Sequence, residues 1–139
     1  MLFDPDRFVR AQDPVFDRVR RELGEGHKRG HWMWFVFPQL SGLGFSAMAQ
    51  RYAIASLGEA AAYLEHPILG PRLIECSELV NNVEGRSINE IFGSPDDLKF
   101  RSCMTLFATV PDAPPVFDEA LAKYFGGAPD RMTTKLLGP

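Results

Sequence analysis

Trp32-Met33-Trp34-Phe35-Val36-Phe37-Pro38 is the stretch whose conformation decides the fold. It contains both tryptophans of the chain and runs from Trp32 to Phe37 without a polar residue. A strand or a helix through such a block would be buried on every side, so periodicity alone does not choose between them. The surroundings do. No second strong strand candidate is present to pair with the block, and an isolated strand is unstable. A helical segment is therefore predicted, ending at Phe37 because Pro38 disfavours the α conformation in the residue before it. A basic cluster, His27-Lys28-Arg29 with His31, leads into the block, and a glycine-spaced loop, Gln39 to Ser46, leads out of it.

Working outward, the chain reads as helix after helix. Asp4-Pro5 and Asp13-Pro14 carry the cap-plus-proline signature of a helix start. After the second, Val15, Phe16, Val19 and Leu23 form one apolar stripe, Asp17 and Arg21 are placed to pair, and Gly24 and Gly26 end the helix. A further helix is predicted from Ser46 to Ile54. Ser56-Leu57-Gly58-Glu59 is a capping box opening Leu57–His66, and Ser87-Ile88-Asn89-Glu90 is a second one. Between them Leu73, Cys76 and Val80 share a face, after punctuation at Gly70-Pro71. Ser94-Pro95-Asp96-Asp97 starts a helix carrying Leu98, Phe100, Cys103, Met104, Leu106 and Phe107, and Val116 to Phe125 gives a last clear amphipathic helix before Gly126-Gly127. The expectation is an all-α fold of six to eight short helices, arranged like an orthogonal bundle, in a single domain over residues 1–139.

Composition narrows the function classes. With 139 residues, 45% hydrophobic and 24% charged, the chain can bury one ordinary core. A net charge of −3 argues against a dedicated nucleic-acid binder. The longest apolar run is too short to span a bilayer, and the acidic N-terminus lacks the pattern of a signal peptide, so no membrane partner and a cytoplasmic location are expected. Cys76 and Cys103 then read as reduced, semi-buried hydrophobes. Residues 46–94 hold six glutamates against Arg51, Arg72 and Arg86, whereas the basic cluster before His31 is either solvated loop or a phosphate-reading rim.

Three blocks resemble one bacterial family, the domain of unknown function 1810, some of whose members carry an unsupported calpastatin label. They are His31 to Ser46, Ala62 to Leu73 and Ile91 to Phe107. The resemblance runs over nearly the whole chain and implies an all-helical fold, with no established activity. A fainter likeness, through Gly42 to Ser46, Tyr52 and Lys99-Phe100, is to the helical ADP-ribose-associated family that includes N-glycosidases of phosphoribosyl compounds. The glutamate that family has near the tyrosine is missing here, with Gln50 standing nearest, so the likeness bears on ligand class alone.

The candidate site lies around the aromatic block. His31, Trp32 and Trp34 offer flat faces for a planar ring, or else form an aromatic core with His31 at its boundary. Gln39, Gly42, Gly44 and Ser46 could cradle a phosphate or sugar, or simply cap the next helix. Lys99 is a candidate phosphate partner, and Asp97 and Arg101 are the candidate catalytic pair, with Asp96 read as a capping acid. His27 and His31 have the helical spacing of two metal ligands, but Gly26 and Gly30 and the lack of a third ligand speak against a metal site. The spacing of 39–46 matches neither a P-loop nor GxGxxG, and no cofactor is implied. The expected partner is a nucleotide- or ADP-ribose-like small molecule, bound and hydrolysed between the glycine loop and the helix after Pro95. The alternative is a protein-interaction module with an aromatic surface. The sequence carries no signal of oligomeric state.

Overall fold

A computed structural model describes residues 3–138. Among the described residues ten helices follow one another: α1 (Asp6–Gln12), α2 (Phe16–Gly24), α3 (Met33–Val36), α4 (Ala47–Arg51), α5 (Leu57–Glu65), α6 (Leu69–Asn81), α7 (Ile88–Phe92), α8 (Asp96–Ala108), α9 (Val116–Phe125) and α10 (Arg131–Leu137). The fold is all-α. The number exceeds the expected six to eight because α3, α4 and α7 are elements of only four or five residues.

α8 runs through the centre. Phe100, Cys103, Met104, Leu106 and Phe107 are each 0% exposed, and α5, α7, α9 and α10 all pack on it. Even its polar residues Ser102 and Thr105 are buried. Their hydroxyls donate to the carbonyls of Leu98 (3.2 Å) and Arg101 (2.8 Å), one turn back, and the Thr105 hydroxyl also accepts from Asp130 N–H at 2.8 Å, tying the start of α10 to α8. α6 packs on α2, α5 and α9, and its first turn passes through Pro71, where a missing N–H costs no intrahelical bond. The predicted break at Gly70-Pro71 is therefore a helix start. Gly70 is required there by packing: a Cβ would lie 2.1 Å from the Leu64 carbonyl oxygen.

The aromatic block is helical, as predicted. Met33–Val36 makes one helical turn, and Phe37 then leaves the helix (φ −124°, ψ 72°) ahead of Pro38. Beyond it the chain is extended long enough for one parallel bridge between Leu40 and Ile54, in which Ser41 N–H donates to Ile54 O at 2.8 Å and Ile54 N–H to Gln39 O at 2.9 Å. Phe37 is the plug: its ring meets Phe100 edge-on at 5.1 Å and Phe92 at 5.7 Å, while Phe92 stacks on Phe100 at 5.0 Å.

Local signals held in part. Ser87 and Glu90 form the full reciprocal box, but Glu59 reaches back to Ala55 N–H while Ser56 caps Glu59 N–H. Asp13 caps nothing; α2 begins after Val15, and the Asp13 carboxylate pairs with Arg72 at 2.8 Å. Asp17 lies 3.7 Å from Arg20 rather than pairing with Arg21. Among the described residues no helix is long and apolar enough to cross a membrane.

Candidate functional site

Glu22 occupies the place after Val19 on the buried stripe of α2 and is 5% exposed. Its Oε1 accepts from the backbone N–H groups of Arg29 (2.8 Å) and Gly30 (3.0 Å) and from the indole Nε1–H of Trp32 (2.9 Å). Burial by itself would raise the Glu22 pKa. The N–H donors of Gly30, Arg29 and Trp32 outweigh it and hold the carboxyl below its ordinary value. One carboxylate thus fixes both the basic loop and the first tryptophan.

Lys28, in that loop, turns inward. Its backbone N–H donates to Ile91 O at 2.8 Å, and its ammonium donates to Gly30 O at 2.6 Å and pairs with Asp96 at 2.8 Å. Only 8% of its side chain is exposed, against 20% for Asp96. From one turn along α8, Lys99 reaches the other oxygen of Asp96 at 3.8 Å, and its ammonium stands 5.7 Å from the ring centroid of Trp34. Two ammonium groups therefore share the Asp96 carboxylate at the head of α8, beside a half-buried indole.

Next to this triad is an open cleft of about 300 Å³. Gln39, Leu43 and Gly44 line one side, Leu98, Lys99 and Ser102 the other, and Asp130 and Met132 close the end. A smaller hollow of about 30 Å³ adjoins it through Gln39 and Gly44 and is bounded by Trp34, Gln50 and Tyr52. It has room for about one water molecule. Gly44 is needed where it stands: a Cβ there would lie 2.6 Å from that of Ala49. Gly42 adopts φ +99°, with Leu136 of α10 packed over it.

The predicted site residues divide. Gln39, Gly44 and Lys99 meet at the cleft, with Trp34 and Gly42 at the adjoining hollow. His31 is exposed and lines neither. Ser46 accepts from Ala49 N–H at 3.1 Å as the N-cap of α4. The reading of Trp32 as a stacking face is corrected: it is 1% exposed, and its one polar group is bonded to Glu22. The pairing of Asp97 with Arg101 is corrected too. Asp97 accepts from Asn89 Nδ2 (3.1 Å) and from Leu98 N–H (2.9 Å), whereas Arg101 Nε donates to Ala128 O (3.0 Å) with the guanidinium over Phe125. Asp96, read as a mere capping acid, is the carboxylate that faces the cations. Motif and spacing alone pass over Glu22, although an acid at an apolar-stripe position is a signal that it has buried donors to satisfy.

Cleft and fold together define a small all-α protein with a cation-edged groove beside a central buried helix. The chain belongs to the family described as protein of unknown function (DUF1810), which matches residues 2–137. It is similar to the conserved hypothetical protein Rv1873 from Mycobacterium tuberculosis, a crystal structure 64% identical in sequence, with a TM-score of 0.96 over 97% of this chain and 96% of that one. No curated protein matches.

Proposed function

We propose that the cleft between Gln39–Gly44 and the head of α8 binds a nucleotide- or ADP-ribose-like small molecule, with Lys99 meeting its phosphate and Trp34 flanking its ring. The observation that carries this reading is the Lys28–Asp96–Lys99 triad. Lys28 takes the short contact with Asp96 at 2.8 Å, and Lys99 the longer one at 3.8 Å, so Lys99 keeps donors for an incoming anion. Gln39 and the backbone around Gly44 supply neutral donors opposite. Asp97 and Arg101 are engaged with Asn89 and Ala128, so the reading is one of binding.

Titration with ADP-ribose, NAD and common nucleotides, followed by tryptophan fluorescence, tests the reading. The expected result is a saturable change that disappears in Trp34→Phe and needs about tenfold more ligand in Lys99→Met, at unchanged melting temperature. A flat response to every compound sinks it.

A specific observation favours a second reading. Phe45 is 82% exposed, Leu98 57%, Met132 52% and Leu136 47%, and Leu98 and Met132 line the cleft itself. Isolated exposed apolar residues need no explanation, but several on the elements bounding one groove suit a protein-binding module. Loss of partner capture in Phe45→Ser, with no nucleotide response in the parent, would assign the face to that role.

A further inference from the structure

Away from this cleft, a second groove of about 500 Å³ lies between α5, α6 and the Val110–Pro114 loop. Its surface is mostly apolar, from Ala61, Leu64, Ile74, Val110 and the loop prolines, and its charged liners are Glu65 and Asp112. No cation lines it, and among the described residues neither carboxylate takes part in an ion pair. The nearby charges deepen the imbalance. Arg72 is the only Lys or Arg from Leu57 to Glu84, and it is drawn off to Asp13 and Gln12. Glu78 stands one turn beyond Ile74 on α6. Glu65 is the last residue of α5, where the unsatisfied carbonyl ends add partial negative charge of their own.

The sign of this surface excludes nucleic acid and anionic membrane as occupants, since both would be repelled. Among the described residues there is no strand edge near the groove for a peptide to extend, which leaves helix-in-groove recognition as the matching mode. We infer that this groove docks a basic amphipathic helix of a partner protein, which seats apolar side chains on Leu64, Ile74 and Val110 and aligns Lys or Arg with Glu65 and Asp112. This groove shares no lining residue with the cleft beside Lys99.

A model peptide tests it. A fluorescein-labelled, helix-forming 15-residue peptide of leucine and lysine, with leucines at i, i+3, i+4 and i+7, is titrated against the full chain by anisotropy. Amide chemical shifts locate the contact. The expected result is saturable binding with shifts confined to α5, α6 and residues 110–114. Affinity should fall about fivefold in Glu65→Gln/Asp112→Asn, which removes two rim charges. Asparagine keeps Asp112 compatible with its φ of +61°, so the variant retains the fold. A scrambled peptide of identical composition, without the apolar stripe, should bind far more weakly. Equal binding of the scrambled peptide, unchanged affinity in the double variant, or shifts centred elsewhere overturns the inference. So does concentration-dependent dimerisation through the same amides, which would make a second copy the occupant.

Discussion

The indole N–H of Trp32 donates to Glu22 at 2.9 Å, and both residues are buried. This contact joins α2 to the aromatic block and, through the same oxygen, to the backbone of Arg29 and Gly30. An anion in a core is normally expensive, but here three N–H donors replace the water it gave up.

Glu22→Gln should therefore destabilise the protein by about 1–3 kcal/mol, since an amide oxygen accepts these bonds less strongly than a carboxylate. Because the folded pKa of Glu22 lies below its ordinary value, its contribution is full above the ordinary carboxyl range and is lost as pH falls through the lower folded value. Urea unfolding at a series of pH values should show the parent losing stability below about pH 4.3 with a steeper acid limb than the variant. Parallel limbs would remove Glu22 from that role.

Asp96→Asn leaves the Lys28 ammonium, whose side chain is 8% exposed, with the Gly30 carbonyl but without this counter-charge, and should cost about 1–3 kcal/mol. In a Lys28→Met background the same substitution should cost much less. A double-mutant cycle read by denaturation midpoints measures the coupling; additive effects would show that the pair contributes nothing specific.

Two glycines on adjoining helices should respond oppositely to alanine. Gly70→Ala drives a Cβ to 2.1 Å from the Leu64 carbonyl oxygen, a backbone atom that cannot swing aside, and should cost about 3 kcal/mol or more. Gly58→Ala, in α5, meets only Ser56 Oγ at 3.7 Å and should stabilise by about 0.5–1 kcal/mol. Thermal melts of the two variants decide it.

Cys76 and Cys103 should be silent to Ellman's reagent in the native state. Burial pushes the Cys76 thiol up to about 12 and Cys103 well above its ordinary value, so neither forms thiolate at neutral pH. Both should react in denaturant; rapid reaction of the native protein would show that the α6–α8 core opens readily.

Helix content, the burial of α8 and the end of α9 at Gly126 were legible because each rests on short-range signals: apolar spacing, capping pairs and a glycine in the left-handed region (φ 63°). Boundaries shifted where a side chain found a better distant partner. Asp13 left its cap for Arg72, some sixty residues away in sequence, and no local pattern announces such an exchange.

The site divides along the same line. The sequence by itself determined that most of Trp32 to Phe37 is buried, that a glycine loop follows it, and that the chain is helical, because these depend on side-chain polarity and backbone freedom at neighbouring positions. Only the tertiary structure decided which tryptophan faces outward and which acid meets the lysines. Trp32 goes inward because Glu22 waits for its N–H, and Asp96 is chosen over Asp97 because α8 turns it toward Lys28. Both outcomes depend on pairings across the fold, set by how whole helices pack rather than by any local sequence pattern.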